Sequence, residues 1–354
     1  MPTLKISRAG VIGAAFVLLL SGCGMFQGER AAKEVEPSQD VTYVSEEKLK
    51  EQPEEQKSEE QAESASRELY FIDQNGYVVP QSLALPKTKE VAKQSLEYLV
   101  QEGPVTELLP NGFKAVLPPG TQILGVNIPE EGTVVADFSQ EFANYAPEDE
   151  MKILQSITWT LTQFDNIDRV KIRINGHEQP FMPVNGTPIN EGMSRANGIN
   201  FDDGDVVDVQ NSKAMTLYFL AQNDEDMYYV PVTRRVEAKA SEDIVATTVQ
   251  ELIEGPARDS KLLSEFHPDM TLVNEPKRED GVVTLNFNEA LLGSLQGTAV
   301  SEHLLNSLVL SLTEQPDVEK VALQVNGESV LYNEEGNEIA EPVSRPQSVN
   351  TGSF

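Results

Sequence analysis

Few residues of this 354-residue chain have the types and spacing that do chemistry. There is one cysteine, Cys23, so an intramolecular disulfide and a cysteine zinc cage are excluded. Its thiol follows the apolar run Ala9 to Leu20 and the small residues Ser21 and Gly22. A thiol there, at the end of an export signal, can accept a lipid. His177, His267 and His303 lie far apart without ligand-spaced partners, and each reads as a surface or turn residue. Asp137 and Ser139 have the chemistry of an acid and a nucleophile. Their counterparts in an internal duplicate are Asn286 and Asn288, which favours strand-end or turn hydrogen bonding for both pairs. Asp202, Asp203, Asp205 and Asp208 invite calcium, but no EF-hand glycine or distal glutamate follows at the right spacing. Arg195 and Arg345 recur in the duplicate and look exposed; a structural salt bridge is expected of them rather than anion binding. Thr160 and Thr162, repeated as Ser311 and Thr313, read as a polar helix face. No catalytic, cofactor or metal set is expected, and so no enzyme.

The elements behind these residues come in two copies. Ser156 to Gly176 and Ser307 to Gly327 align without a gap at a spacing of 151 residues. Leu154, Ile157 and Leu161 recur as Leu305, Leu308 and Leu312, one face of a helix. Val170, Ile172 and Ile174 recur as Val321, Leu323 and Val325, one face of a strand, and each copy ends in an Asn-Gly turn. Upstream, Leu69 to Ile72 matches Leu217 to Leu220, and Val134 to Phe138 matches Val283 to Phe287. Each unit reads β-β-α-β-β-α-β with an extended tail, an α+β domain with a small mixed or antiparallel sheet and two helices on one face. In the first unit, helix one carries Thr88 as its cap and Gly103 in the left-handed position at its end. In the second, Ser241 is the cap, with Glu242 and Asp243 in the first turn, and Glu254-Gly255-Pro256 the stop.

Charge and composition limit the partners. The chain has 57 acidic and 27 basic residues, a formal charge of −30, with 39% hydrophobic and 6% aromatic residues. A basic nucleic-acid footprint is absent, and electrostatic docking on anionic lipid is disfavoured. Residues 1–22 read as a signal peptide. Leu20-Ser21-Gly22-Cys23 resembles the bacterial lipobox, which implies an S-diacylglycerol and an N-palmitoyl group on Cys23. Cleavage before Cys23 would remove Lys5 and Arg8 and no acid, taking the charge from −30 to −32. Residues 23–66 form the anchor and a disordered, glutamate-rich tether. The first domain spans 67–200, an acidic connector 201–214, and the second domain 215–350. The two are expected to fold separately.

Val134-Val135-Ala136-Asp137-Phe138-Ser139, Thr160-Leu161-Thr162-Gln163-Phe164 and Val170-Lys171-Ile172-Arg173-Ile174-Asn175-Gly176 resemble the GerMN domain. Two such domains behind a lipobox and an acidic tether are similar to the sporulation and germination lipoproteins of spore-forming Firmicutes. That resemblance implies a fold like the ring-building motifs of secretion systems. It also implies a structural role between the mother-cell and forespore membranes, with the SpoIIIA–SpoIIQ channel complex as protein partner and a ring oligomer formed with it. The location it implies is the extracytoplasmic face of a membrane, lipid-anchored. The second unit departs from the pattern at Asn286-Phe287-Asn288 and at Asp269-Met270, where the first has Gly120-Thr121. Alternatives are a binder of cell-wall material or of a small germinant, and a wall hydrolase. The first would want exposed aromatics, the second a convergent acid/base or metal set.

Overall fold

The computed structural model describes residues 64–202, 211–223, 226–237, 243–292 and 299–351. Cys23, the signal and most of the tether lie outside these residues, as do Asp203, Asp205, Asp208, Ser241 and Glu242.

Repeat 1 opens with a hairpin of β1 (Ser64–Ile72) and β2 (Val78–Pro86), paired antiparallel with Ile72 opposite Val78. Its turn is set by Asp73, whose carboxylate accepts from the Asn75 and Tyr77 N–H groups at 2.9 and 2.8 Å. A short helix, α1 (Val91–Glu97), follows. Then come β3 (Ile123–Glu130), β4 (Gly132–Phe138), α2 (Glu150–Leu161), β5 (Ile167–Ile174) and β6 (His177–Glu178). These strands make one sheet in the order β3-β4-β5-β6, with β4 and β5 parallel and α2 as their crossover.

Repeat 2 runs β7 (Ser212–Asn223), β8 (Asp226–Glu237), α3 (Ile244–Glu254), β9 (Lys277–Glu279), β10 (Val282–Phe287), β11 (Ala299–Val300), α4 (Glu302–Leu312), β12 (Lys320–Val325), β13 (Tyr332–Asn333) and β14 (Val343–Ser344). Its main sheet has the order β14-β12-β10-β9, again with one parallel pair, β10 and β12, around a helix.

The helices lie between two β layers, so the strands of each unit divide between a hairpin and a sheet. Helix α2 packs on β1 and on β5, and α4 on β7 and on β12. Consequently α2 is buried nearly all round, from Ile153 to Leu161. Its apolar side chains pack on both layers, with Trp159 against Tyr70 and Val78 of the hairpin. Its hydroxyls go to the hairpin: Thr160 Oγ1 accepts from Tyr70 N–H at 3.0 Å, and Ser311 Oγ from Tyr218 N–H at 2.8 Å. The polar face expected at Thr160 and Ser311 is therefore an interior one.

Three helix ends differ from expectation. At the first, α1 has Glu90 rather than Thr88 at its N-cap, and Thr88 Oγ1 only accepts from the Glu90 N–H. In α3 the cap is Asp243, whose side chain accepts from the Val245 and Ala246 N–H groups. After α1 the left-handed residue is Glu102, φ +58°, not Gly103. Gly103 is needed for room, since a Cβ there would stand 2.8 Å from the Val100 carbonyl oxygen. In α3, Gly255 does adopt φ +86°. Strand β7 begins at Ser212, inside the stretch expected as connector, because Lys213 and Ala214 already pair with Val236 and Arg235.

Candidate functional site

The residues singled out for chemistry are dispersed. His177 is exposed on β6. His267 sits in an exposed turn with Nδ1 3.5 Å from Asp269, and His303 on α4 places Nδ1 3.2 Å from the Tyr229 hydroxyl. The last two thus have partners that the sequence did not suggest, but neither partner leads to a nucleophile. Asp137 accepts from the Gly176 N–H at 3.0 Å, and Asn286 accepts from Gly327 at 2.9 Å. Ser139 Oγ accepts from Gln122 N–H, as Asn288 Oδ1 does from Thr271 N–H. Both pairs do the same turn-holding work, which either letter can perform. Asp202 is buried against Arg234, with an Nη2–Oδ2 distance of 2.5 Å. Arg234 also bonds Glu251 and the Gly255 carbonyl. Among the described residues, no group of three His, Cys, Asp or Glu side chains is arranged to hold a metal ion.

What the chain does assemble is a joint between the repeats. After β6 the first tail crosses to repeat 2: Ile199 N–H donates to Thr233 Oγ1, and Thr233 N–H to the Ile199 carbonyl, both at 2.8 Å. The second tail returns the exchange on repeat 1. Val349 N–H donates to Ser82 Oγ at 2.8 Å, and Ser82 N–H to the Val349 carbonyl at 3.1 Å. Two asparagines then bridge the hairpins. Asn200 Nδ2 donates to the Val78 and Pro231 carbonyls while its Oδ1 accepts from Val78 N–H. Asn350 Nδ2 donates to the Tyr229 and Pro80 carbonyls while its Oδ1 accepts from Tyr229 N–H. Position by position the two sets are equivalent with the repeats interchanged, which is the mark of an approximate twofold. Pro80 and Pro231 have no N–H to offer, so β2 and β8 meet without a strand ladder and the asparagine amides supply the cross-links.

Arg195 and Arg345 belong to the same joint. Arg195 lies over the ring of Trp159, 4.4 Å from its centroid, and donates to Thr162 Oγ1. Its Nη1 stands 3.0 Å from Glu314 of the other repeat. Arg345 lies over Tyr218, donates to Thr313 Oγ1, and also stands 3.0 Å from Glu314. The expected salt bridges are present, but half-buried and shared. Burial alone would raise the Glu314 pKa; the two guanidinium charges and the Tyr218 hydroxyl overcome it and hold the carboxyl below its usual range. Burial pushes the Tyr218 hydroxyl up, so it donates.

The two repeats, expected as separate folding units, pack against each other through this joint in the full chain. Tails cross, and Val79 of β2 sits in the hydrophobic core of repeat 2. Sequence reasoning missed the joint although its letters were repeated: Asn200 and Asn350 close the two matching tails, a few residues beyond Arg195 and Arg345.

Comparison with known proteins follows this geometry. A family model described as sporulation and spore germination (Germane) matches residues 68–180 and 216–331. The chain is 51% identical over 361 residues to the spore germination protein GerM of Bacillus subtilis (strain 168), covering 97% of this chain and 98% of that one. The solved structure of the tandem GerMN domains of the sporulation protein GerM from Bacillus subtilis matches with a TM-score of 0.77. That match has 54% identity over 82% of this chain and 100% of the other.

Proposed function

The chain belongs to the Germane family of sporulation and spore germination proteins, and from that membership we propose that it works as a non-enzymatic scaffold in the spore envelope. Cys23 carries the lipid, residues 1–22 are removed, and the chain is held on the extracytoplasmic side of the outer forespore membrane. From there it helps assemble or stabilise the mother cell–forespore channel, the SpoIIIA–SpoIIQ complex. The Leu20-Ser21-Gly22-Cys23 stretch supports the lipid as the anchor; no helix among the described residues is long and apolar enough to cross a membrane.

The observation that carries the scaffold reading is the exchange of tails. It makes the tandem repeats one stiff double module, with the part-buried Arg195, Arg345 and Glu314 helping to hold it together. Stiffness is what a spacer between partners needs. The test combines C23A with a deletion in sporulating cells. C23A should abolish acyl labelling and release the protein from membranes, and the deletion should weaken recovery of the intact channel complex. Normal complex in the deletion strain, together with turnover of wall fragments by the purified soluble form, would replace the scaffold with an enzyme.

A further inference from the structure

Beyond the joint, one feature recurs in both repeats with its aromatic side chain left exposed, although in repeat 2 its backbone also pairs as β13 with β11. After β5 and after β12 the chain makes the same small arch. Met182 N–H bonds the Thr187 carbonyl as Asn333 N–H bonds that of Asn337, and Ile189 N–H bonds the Pro180 carbonyl as Ile339 N–H bonds that of Leu331. Phe181 faces Pro188 in a bridge as Tyr332 faces Glu338. Phe181 and Tyr332 are therefore equivalent, both aromatic, and 55% and 41% exposed. Exposed apolar residues lie close by in sequence, Val184 in repeat 1 and Val330 in repeat 2, and Met151 on α2 stands against Thr187 of the first arch.

These arches are held rather than loose. In repeat 1 the buried Glu150 carboxylate accepts from Asn185 N–H, Thr187 N–H, the Thr187 hydroxyl and the Tyr145 hydroxyl. In repeat 2, Asn333 Oδ1 accepts from Asn337 N–H. An aromatic on a pre-ordered arch loses little entropy on binding, which is the property of an interface anchor. Along the chain, the charge on each arch segment has one sign. Between Arg173 and Arg195, and again between Lys320 and Arg345, there is no lysine or arginine, while the second interval holds Glu328, Glu334, Glu335, Glu338 and Glu341.

We propose that Phe181 and Tyr332 are the paired anchors of a bivalent docking surface for a protein that presents apolar pockets rimmed by lysine or arginine. The apolar neighbours favour a protein over a glycan, whose hydroxyls would need polar groups beside each ring. Because the joint fixes the two arches relative to each other, engaging one raises the effective concentration of the other.

The test places a benzophenone side chain at 181, at 332 and at the control position Glu131 in the full-length lipidated chain, in sporulating cells. It is run beside F181S, Y332S, F181S/Y332S, F181L/Y332L and the control pair L263S/V273S. Positions 181 and 332 should cross-link one and the same polypeptide, with nothing at 131. At equal abundance, F181S/Y332S should cut heat-resistant spores by about tenfold or more, as expected for loss of two anchors. Each single variant should cut them less, and the leucine pair and the control pair should leave them near wild type. Wild-type spore counts in F181S/Y332S overturn the proposal. So do cross-links to wall glycan or lipid alone, or none from either position. The inference goes beyond the channel assignment: cross-links to a protein outside the channel uphold the docking surface while that assignment falls.

Discussion

In repeat 1 the helix α2 begins on Glu150, a buried carboxylate that receives four donors. In repeat 2 the helix α4 begins after Ser301, an N-cap that accepts from Leu304 N–H and bonds Glu265. The same inequality appears across the hairpins. Arg67 opposite Leu83 in repeat 1 becomes Met215 opposite Arg234 in repeat 2. Arg234 has Asp202 and Glu251 beside it, whereas Arg67 is buried with only the Ser66 carbonyl as partner among the described residues. At the joint, Gln163 holds the backbone of Glu68, while its counterpart Glu314 binds two arginines. The Asp, Asn, Ser and Thr positions that hold the turns and tails keep their geometry across the duplication, as do Arg195 and Arg345, whereas Glu150, Arg67 and Gln163 have counterparts of different charge. A hydrogen bond to a backbone group can be met by Asp, Asn, Ser or Thr, but a buried charge needs its own partner.

Breaking this comparison at its most asymmetric point gives the largest effect. Glu314→Ala leaves two guanidinium groups facing each other in a mostly buried site and should cost about 3–5 kcal/mol. Gln163→Ala, the equivalent change in repeat 1, should cost only about 1 kcal/mol, the value of a neutral bond pair. Urea unfolding followed by Trp159 fluorescence measures both. Similar losses in the two variants would deny Glu314 its place at the centre.

The symmetric pair comes next. Asn200→Ala and Asn350→Ala each remove three hydrogen bonds and put alanine where φ is +44° and +55°. Each should cost about 2 kcal/mol, with nearly equal values, since the two asparagines do equivalent work. A loss at one and none at the other would break the twofold description.

Acid separates the repeats more finely. Burial works against the Glu150 charge, but its donors more than compensate, so its carboxyl lies below the ordinary glutamate range. A depressed folded pKa gives stability that is complete above the unfolded value, about 4.3, and is lost as pH falls below it through the folded value. Ser301 cannot titrate. The pH slope of stability between about 5 and 3 should therefore shrink in Glu150→Gln, with Glu314 supplying part of the remainder. An unchanged slope would remove Glu150 from the acid response.

The smallest effect has the opposite sign. Burial lowers the Arg67 pKa with no carboxylate to offset it. Arg67→Met, the residue found at Met215, should stabilise by about 1 kcal/mol in the same urea assay. A loss of stability would mean that the guanidinium contributes packing that methionine cannot replace.

Much of the fold was legible because its periods switch at the same place twice. The apolar stripe of α2 and the alternation of β5 recur in α4 and β12, and the Asn-Gly turns after them adopt the positive φ that these letters favour: +49° and +78° at Asn175 and Gly176. The role of Asp137 was legible too, because the duplicate replaced it with an equally good acceptor. The joint was not. Half of its tail pairings run through backbone groups, which leave no letter, and the hydroxyls that complete them, Thr233 and Ser82, lie 34 and 267 residues from their partners. Thr160 and Ser311 looked like a solvent face because a helix pattern alone does not show that a hairpin covers its polar side. Phe181 and Tyr332 fell in stretches that read as Pro/Gly-rich tails, where no period marks an aromatic as exposed.

The central claim, that two repeats make one stiff module, is tested most directly by calorimetry of the soluble C23A form. The exchanged tails and the shared Glu314 predict a single unfolding transition whose calorimetric and van't Hoff enthalpies agree. Two resolved transitions, each carrying roughly half the enthalpy, would show that the repeats unfold independently and would contradict it.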